Sequence, residues 1–283
     1  MGWETPVTET LPSSWLEELI DISPDTPKEI WEKTFHLIQK HIKAFGFDNR
    51  VGEHPVKARI RTQEGAHLIS LPMYGASPAK RQVIDAQMDK WIAQQIIELS
   101  ASPWGALVVI VYCNGKPRFC VDYRKLNALT IPDEFPLPQQ MEIMQAMSGV
   151  QVLSTLDTLS GFTQLTLAEE DKEKMAFRTH RGLWQFKRMP FGLCNGPLIF
   201  QRVMQGILAP YLWTFTLLYI DNIVIFSKSY DEHLEHLGRV LQLVEESHLM
   251  LSPNKCHFMY MSILLLGQKV SRLGLSTHHT TWR

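Results

Sequence analysis

No apolar run in this chain approaches the ~20 residues that a helix needs to cross a bilayer. A membrane is therefore not expected as a partner. Cysteine is scarce: Cys113, Cys120, Cys194 and Cys256 are the four. No pair has the close spacing of a zinc site, and no disulfide framework is implied. A reducing compartment is the default expectation. The N-terminus is acidic and lacks the apolar stretch of a secretory signal. Gly2 is followed by Pro6 where a myristoylation site wants Ser or Thr. Internal repeats are absent. Net charge is also small, −1 over 283 residues, which looks wrong for a nucleic-acid binder.

That balance hides an asymmetry. Residues 1–55 carry ten acidic and five basic side chains, −5, which leaves 19 acidic and 23 basic for the rest, +4. Lys172, Lys174, Arg178, Arg181, Lys187 and Arg188 fall within one short stretch. Such a cluster can contact phosphates; a solvated charged surface is the equally plain alternative. With 45% hydrophobic residues the chain has material for one large domain or two smaller ones.

Residues 1–55 read as an acidic helical linker, with a helix from Pro27 to about Phe45 whose face carries Ile30, Trp31, Phe35, Ile38 and Ile42. Residues 56–75 alternate, which suggests extended structure. A second helix is expected over Ala79–Leu99, striped by Val83, Met88, Trp91, Ile92 and Ile96. Ala106–Val111 and Arg118–Asp122 read as strands around an Asn114-Gly115 hairpin turn. Further helices are expected near Gln140–Met147, Pro197–Leu208 and Tyr230–His248, and a last strand pair over Leu251–Val270. His233 and His236 lie one helical turn apart but read as the polar side of an amphipathic helix, not as metal ligands. Hairpins mixed with separate helices argue for an α+β fold with an antiparallel sheet.

The most informative stretch is Tyr219-Ile220-Asp221-Asn222, set between the apolar runs Phe215–Leu218 and Ile223–Phe226. Two such runs joined by Asp-Asn predict a tight hairpin with a carboxylate at its tip. Asp157 closes another apolar run, Val152–Leu156. Two strand-end carboxylates brought together can hold a divalent metal for phosphoryl transfer. Taken alone, Asp-Asn reads first as a plain turn, because both residues favour turns.

The surrounding motifs tip the balance. Ser102-Pro103-Trp104-Gly105, Cys120 to Asn127, Leu153 to Asp157, Ala176 to Thr179, Met189 to Leu193, Phe200-Gln201, the Asp221 hairpin, Phe226-Ser227-Lys228 and Leu266-Gly267 follow one another. In that order, residues about 56–275 resemble the reverse transcriptase of gypsy-class LTR retrotransposons. The resemblance implies a right-hand polymerase: fingers over about 66–131 and 165–195, palm over about 132–164 and 196–275, no thumb, and an unstructured tail at 276–283. It implies RNA-directed DNA polymerisation from deoxynucleoside triphosphates on a primed RNA or DNA template, with two Mg²⁺ ions (or Mn²⁺).

By resemblance, Asp157, Asp221 and the Thr158 carbonyl match the metal ligands. Arg118, and more weakly Lys116, match triphosphate contacts. Phe162 matches the ring that excludes a 2′-hydroxyl, and Phe191 with Gly192 the floor of the nucleotide pocket. Lys255 falls near the proton donor to pyrophosphate. Tyr219, Leu266 and Gly267 match primer contacts. Asn222 departs from the pattern, because the family hairpin carries a second aspartate there. An amide is neutral and a weaker Mg²⁺ ligand, so impaired catalysis is expected. Cys113 stands where a basic fingers residue is usual. The end of the chain soon after Gly267 suggests a truncated copy, and a non-catalytic nucleic-acid-binding remnant is the alternative reading.

Overall fold

The computed structural model describes residues 13–47, 51–71, 75–265, 268–271 and 274–277. In chain order, α1 (Ser13–Leu19), β1 (Asp21–Ile22) and α2 (Lys28–Lys40) precede β2 (His54–Ala58), α3 (Pro78–Ala93) and β3 (Ile97–Leu99). The hairpin of β4 (Ala106–Cys113) and β5 (Lys116–Asp122) leads through α4 (Arg124–Leu129) and α5 (Gln140–Ala146) to β6 (Val152–Asp157). Then come β7 (Leu165–Leu167), α6 (Glu169–Lys172), β8 (Ala176–Thr179), β9 (Gly182–Phe186) and α7 (Gly196–Leu208). β10 (Thr216–Tyr219), β11 (Asn222–Ser227), α8 (Tyr230–Glu246) and β12 (His257–Tyr260) follow, then β13 (Ser262–Leu265), β14 (Gln268–Ser271) and β15 (Gly274–Thr277).

Two five-stranded sheets organise the chain. One has the order β1-β12-β6-β11-β10, the other β3-β9-β8-β4-β5. In the first, β6 and β11 are interior strands, and strand periodicity gives each face its own core. Val152, Leu156, Ile223 and Ile225 pack into the larger cluster with α7 and α8. Leu153, Val224 and Phe226 turn the other way and pack with Ile143, Met147 and Ile263. Burial on both faces explains why β6 and β11 read as near-continuous apolar runs.

Outside the Asp221 hairpin, the structure departs from expectation in four places. First, residues 13–47 do not hang free as a linker. β1 pairs in parallel with β12, and the Asp21 carboxylate accepts from Tyr260 Oη at 2.7 and 2.8 Å. Phe35, Ile38, Ala44 and Phe45 enter the main core, and Phe45 meets Phe258 edge-on. Acidic composition marked the outer face of this segment, not its inner one. Second, α3 stops at Ala93. Gln95 takes φ 54°, and Ile97 and Leu99 pair with Phe186 and Trp184 of β9. Ile96 continued the helical stripe by coincidence; it is buried beyond the end of the helix, in the turn into β3. Within α3, Ile84 and Met88 are buried, and Ile92 is 36% exposed.

Third, four short strands, β12–β15, run from His257 to Thr277, where one strand pair over Leu251–Val270 was expected. Ser276 and Thr277, assigned to the tail, are in β15; residues 278–283 lie outside the described residues. Fourth, His233 is not on a polar face. It is fully buried, with Nε2 2.7 Å from Ser154 Oγ and Nδ1 2.8 Å from Ser227 Oγ. Burial pushes its imidazole down to about 3.

Two outcomes follow. Ile38→Ala removes a fully buried side chain where α2 meets the core and is expected to cost about 2–5 kcal/mol in urea denaturation; an unchanged midpoint would mean that α2 is not part of the fold. The His233 shift sets a pH dependence. Its folded value lies below the ordinary 6.5, so its contribution is complete above about pH 6.5 and falls by about 1.4 kcal/mol per pH unit below it. Between about pH 6.5 and 5, before most carboxylates titrate, the parent should lose stability more steeply than His233→Phe in chemical denaturation.

Candidate active site

The β6–β11 pairing is antiparallel and sets Asp157 opposite Asn222. The hairpin register pairs Tyr219 with Asn222, so the two-residue loop is Ile220-Asp221 and not Asp221-Asn222. Asp221 stays at the tip, while Asn222 becomes the first residue of the returning strand. Ile220 takes φ 57°, and Asp221 is not among the residues with positive φ, the pattern of a II′ turn. A β-branched residue in that region is strained by about 1–3 kcal/mol. Gln201 of α7 holds the turn. Its Oε1 accepts from Ile220 N at 2.5 Å, and its Nε2 donates to Leu218 O at 3.4 Å.

Backbone contacts lock the two strand ends together. Thr158 N donates to Asp221 O at 3.3 Å, and Ser252 N donates to Asp157 O at 2.8 Å. Gln164 ties the turn after Asp157 to the segment after α8. Its Nε2 donates to Leu159 O at 2.8 Å and Met250 O at 2.9 Å, and its Oε1 accepts from Met250 N at 2.6 Å. Gly161 must lack a side chain, because a Cβ would meet Thr158 Oγ1 at 2.7 Å and the Phe200 ring at 3.1 Å.

The electrostatics follow from this crowding. Burial raises the Asp157 carboxyl above its ordinary value; the Lys255 ammonium opposes that, and the nearby Asp221 charge adds to it. Lys255 Nζ stands 3.1 Å from Asp157 Oδ1. Asn222 Nδ2 donates to Asp221 Oδ1 at 3.1 Å. The amide thus spends one acceptor position of Asp221 on a neutral donor. Two carboxylates side by side are oxygen donors of the class that Mg²⁺ takes. Among the described residues, no third Asp, Glu, His or Cys joins them in a metal-holding group. The donor set is right in kind for a divalent ion and one carboxylate short of the pattern expected for two.

The other expected residues are placed as follows. Phe162, two residues beyond Ser160, has its ring 4.9 Å from Phe191 and 5.7 Å from Phe200. Phe191 is 59% exposed, and Gly192 takes φ 94°. Asn127 braces that turn: its Nδ2 donates to Gly192 O at 2.8 Å, and its Oδ1 accepts from Cys194 N at 2.9 Å. Phe191 and Gly192 also line a cavity of about 380 Å³ shared with Trp91, Phe119, Val121 and Ser160. Tyr219 is half-buried against the smaller core cluster. Lys116 and Arg118 lie on β5, in the other sheet, paired with Cys113 and Val111. Their side chains make no hydrogen bond or ion pair with another described residue, and the structure does not join them to the carboxylates. Leu266 and Gly267 lie outside the described residues.

The basic cluster is mostly spent inside the fold. Lys174 binds Asp171 and Ile60 O, and Arg178 binds Leu71 O and Ser70. Arg181 pairs with Asp89, Lys172 with Glu169, and buried Arg188 donates to Gly52 O. Gln201 entered the sequence reading only within the Phe200-Gln201 motif, with no bracing role, and Gln164 did not enter it. Their signal was there: a lone glutamine on the apolar face of a helix or turn must find a buried partner.

Comparison with known proteins gives the family. The model of the family described as reverse transcriptase (RNA-dependent DNA polymerase) matches residues 111–270. The chain belongs to that family. It is 37% identical to the retrovirus-related Pol polyprotein from transposon 297 of Drosophila melanogaster, over 86% of this chain and 24% of that protein. It is 30% identical to the Pol polyprotein from transposon gypsy of the same organism, over 89% of this chain and 25% of that protein. The chain therefore spans about a quarter of the length of these relatives. The fold matches the foamy viral protease-reverse transcriptase solved with an RNA/DNA hybrid. The TM-score is 0.86 at 19% identity, covering 98% of this chain and 37% of that one. The α+β polymerase fold expected from the resemblance is the fold observed.

The Gln201 brace yields a direct test. Gln201→Leu keeps the volume but strands the Ile220 N–H, and is expected to cost about 1–3 kcal/mol in urea unfolding. A neutral substitution would show that the turn does not depend on it.

Proposed function

We propose that this reverse transcriptase chain carries the nucleotidyl-transfer centre of an RNA-directed DNA polymerase, and that Asn222 impairs it. The observation that carries the reading is the β6–β11 pairing, which sets the strand ends bearing Asp157 and Asp221 side by side. The substrates are a primer annealed to an RNA or DNA template and a deoxynucleoside triphosphate. The solved neighbours bound to an RNA/DNA hybrid and to double-stranded DNA support a nucleic-acid partner.

In this reading Asp157, Asp221 and the Thr158 carbonyl hold Mg²⁺, or Mn²⁺ in its place. Bound there, the metal would lower the pKa of the primer 3′-hydroxyl and neutralise triphosphate charge. Phe162, backed by Phe200 and Phe191, presents a ring edge to the sugar and disfavours a 2′-hydroxyl. Arg118 and Lys116 supply mobile cations to the triphosphate. Lys255 leaves Asp157 to protonate the departing pyrophosphate. Tyr219, Leu266 and Gly267 contact the primer terminus.

Charge explains the impairment. Asp157 and Asp221 carry two negative charges, and Lys255 returns one positive. A carboxylate at position 222 would restore the third acidic group opposite two dications. The hydrogen bond from Asn222 to Asp221 favours a second reading, a nucleic-acid-binding domain without the chemistry. Primer extension separates them. The parent should extend a primed template at least about a hundredfold more slowly than Asn222→Asp. Robust extension by the parent refutes the impairment; duplex binding with no extension by either chain leaves the second reading.

A further inference from the structure

One imidazole ties together the strands that carry the carboxylates. His233 projects from α8 into the face of the sheet opposite Asp157, fully buried. Its Nε2 lies 2.7 Å from Ser154 Oγ on β6, and its Nδ1 lies 2.8 Å from Ser227 Oγ on β11. Ser154 Oγ also accepts from Met259 N of β12 at 3.1 Å. Ser227 Oγ lies 2.8 Å from Nδ1 of His236, whose ring stacks on Phe215 with centroids 3.8 Å apart. Three neighbouring strands and one helix are therefore joined by a single polar chain inside an apolar core.

Hydrogen counting gives the chain a direction. Each serine has one hydroxyl hydrogen, and a neutral imidazole has one N–H and one lone pair. One arrangement finds an acceptor for every hydrogen of the buried Ser154, His233 and Ser227 and leaves over only the second ring nitrogen's hydrogen on half-buried His236. Met259 N–H donates to Ser154, and the Ser154 hydroxyl donates to His233 Nε2. His233 Nδ1–H then donates to Ser227, and the Ser227 hydroxyl donates to His236 Nδ1. The reverse direction through His233 leaves the Ser154 hydrogen without an acceptor in the chain. Donors aligned in one direction reinforce one another in a low-dielectric interior.

The clamp is placed where register matters. Ser154 lies opposite Ile225, and Ser227 opposite Val152, in the same ladder that sets Asp157 opposite Asn222. A slip of β11 against β6 would break both histidine bonds and separate the carboxylates. We propose that His233 is a positioning residue of the active site, holding β6 and β11 in the register and stiffness that keep Asp157 beside Asp221. Its kinetic consequence rests on the nucleotidyl-transfer reading above; its structural consequence does not.

Hydrogen–deuterium exchange on the parent, His233→Phe and Ser227→Ala, with NMR of the histidine ring nitrogens, tests this. The parent ring should be neutral with its proton on Nδ1. In each variant the amides of 156–158 and 221–223 should exchange about tenfold faster, while those of α3 beside the other sheet keep parental rates. Ser227→Ala guards against a His233→Phe chain that fails to fold. Uniform acceleration across the chain, unchanged exchange at the strand ends, or a proton on Nε2 overturns the proposal. In the Asn222→Asp background, His233→Phe should lower kcat about tenfold with KM for the triphosphate within about twofold; an unchanged kcat counts against positioning. If Asn222→Asp does not extend at all, the polymerase reading falls, and exchange still decides the role of His233.

Discussion

Everything in the site hangs on the pairing of two interior strands, β6 and β11. Both are buried on both faces, so their register is not free. A one-residue slip would carry Leu153 and Val224 from one core cluster into the other, and Leu156 and Ile223 the opposite way. The carboxylates sit at the ends of those strands because the apolar pattern stops there. Asp157 ends the run Val152–Leu156, and Asp221 caps the hairpin into β11. Core packing thus sets the distance between two groups that are themselves half-exposed.

Bringing two acidic groups to one place has an electrostatic cost, and the local chemistry shows how this chain meets it. Burial and the Asp221 charge push the Asp157 carboxyl upward, while the Lys255 ammonium pulls it down. Asn222 adds a neutral hydrogen bond to Asp221 where a carboxylate would add repulsion. The polar groups that shape the site are buried and partnered: Gln201 under the turn, Gln164 behind the strand end, His233 beneath the ladder. Such groups are costly when unpaired, which makes each one specific to this arrangement.

Much of the fold was legible because its signals are local. Asn114-Gly115 turns with both residues at positive φ and joins β4 to β5 as an Asn-Gly hairpin should. Val152–Asp157 and the helices at 140, 197 and 230 sit close to where periodicity put them. The misreadings share one cause. The turn at 220–221, the strand at Ile97–Leu99 and the seating of residues 13–47 each depend on a partner far away in the chain. Ile220 enters a left-handed turn because Gln201 waits for its N–H, and nothing in residues 216–224 announces that. His233 looked solvated because its own neighbours, Asp231, Glu232 and Glu235, are acidic. Its two serine partners are 79 and 6 residues away.

By itself, the order of residues determined the family, the class of fold and the pair of acidic groups in question, since motif order and apolar periodicity are properties of the chain alone. Tertiary structure decided which residue turns the hairpin, which basic side chains are spent in ion pairs, and what lies beneath the strands that end at Asp157 and begin after Asp221. Those outcomes rest on burial and on hydrogen bonds between distant segments, and a buried donor's partner exists only once the chain has closed around it.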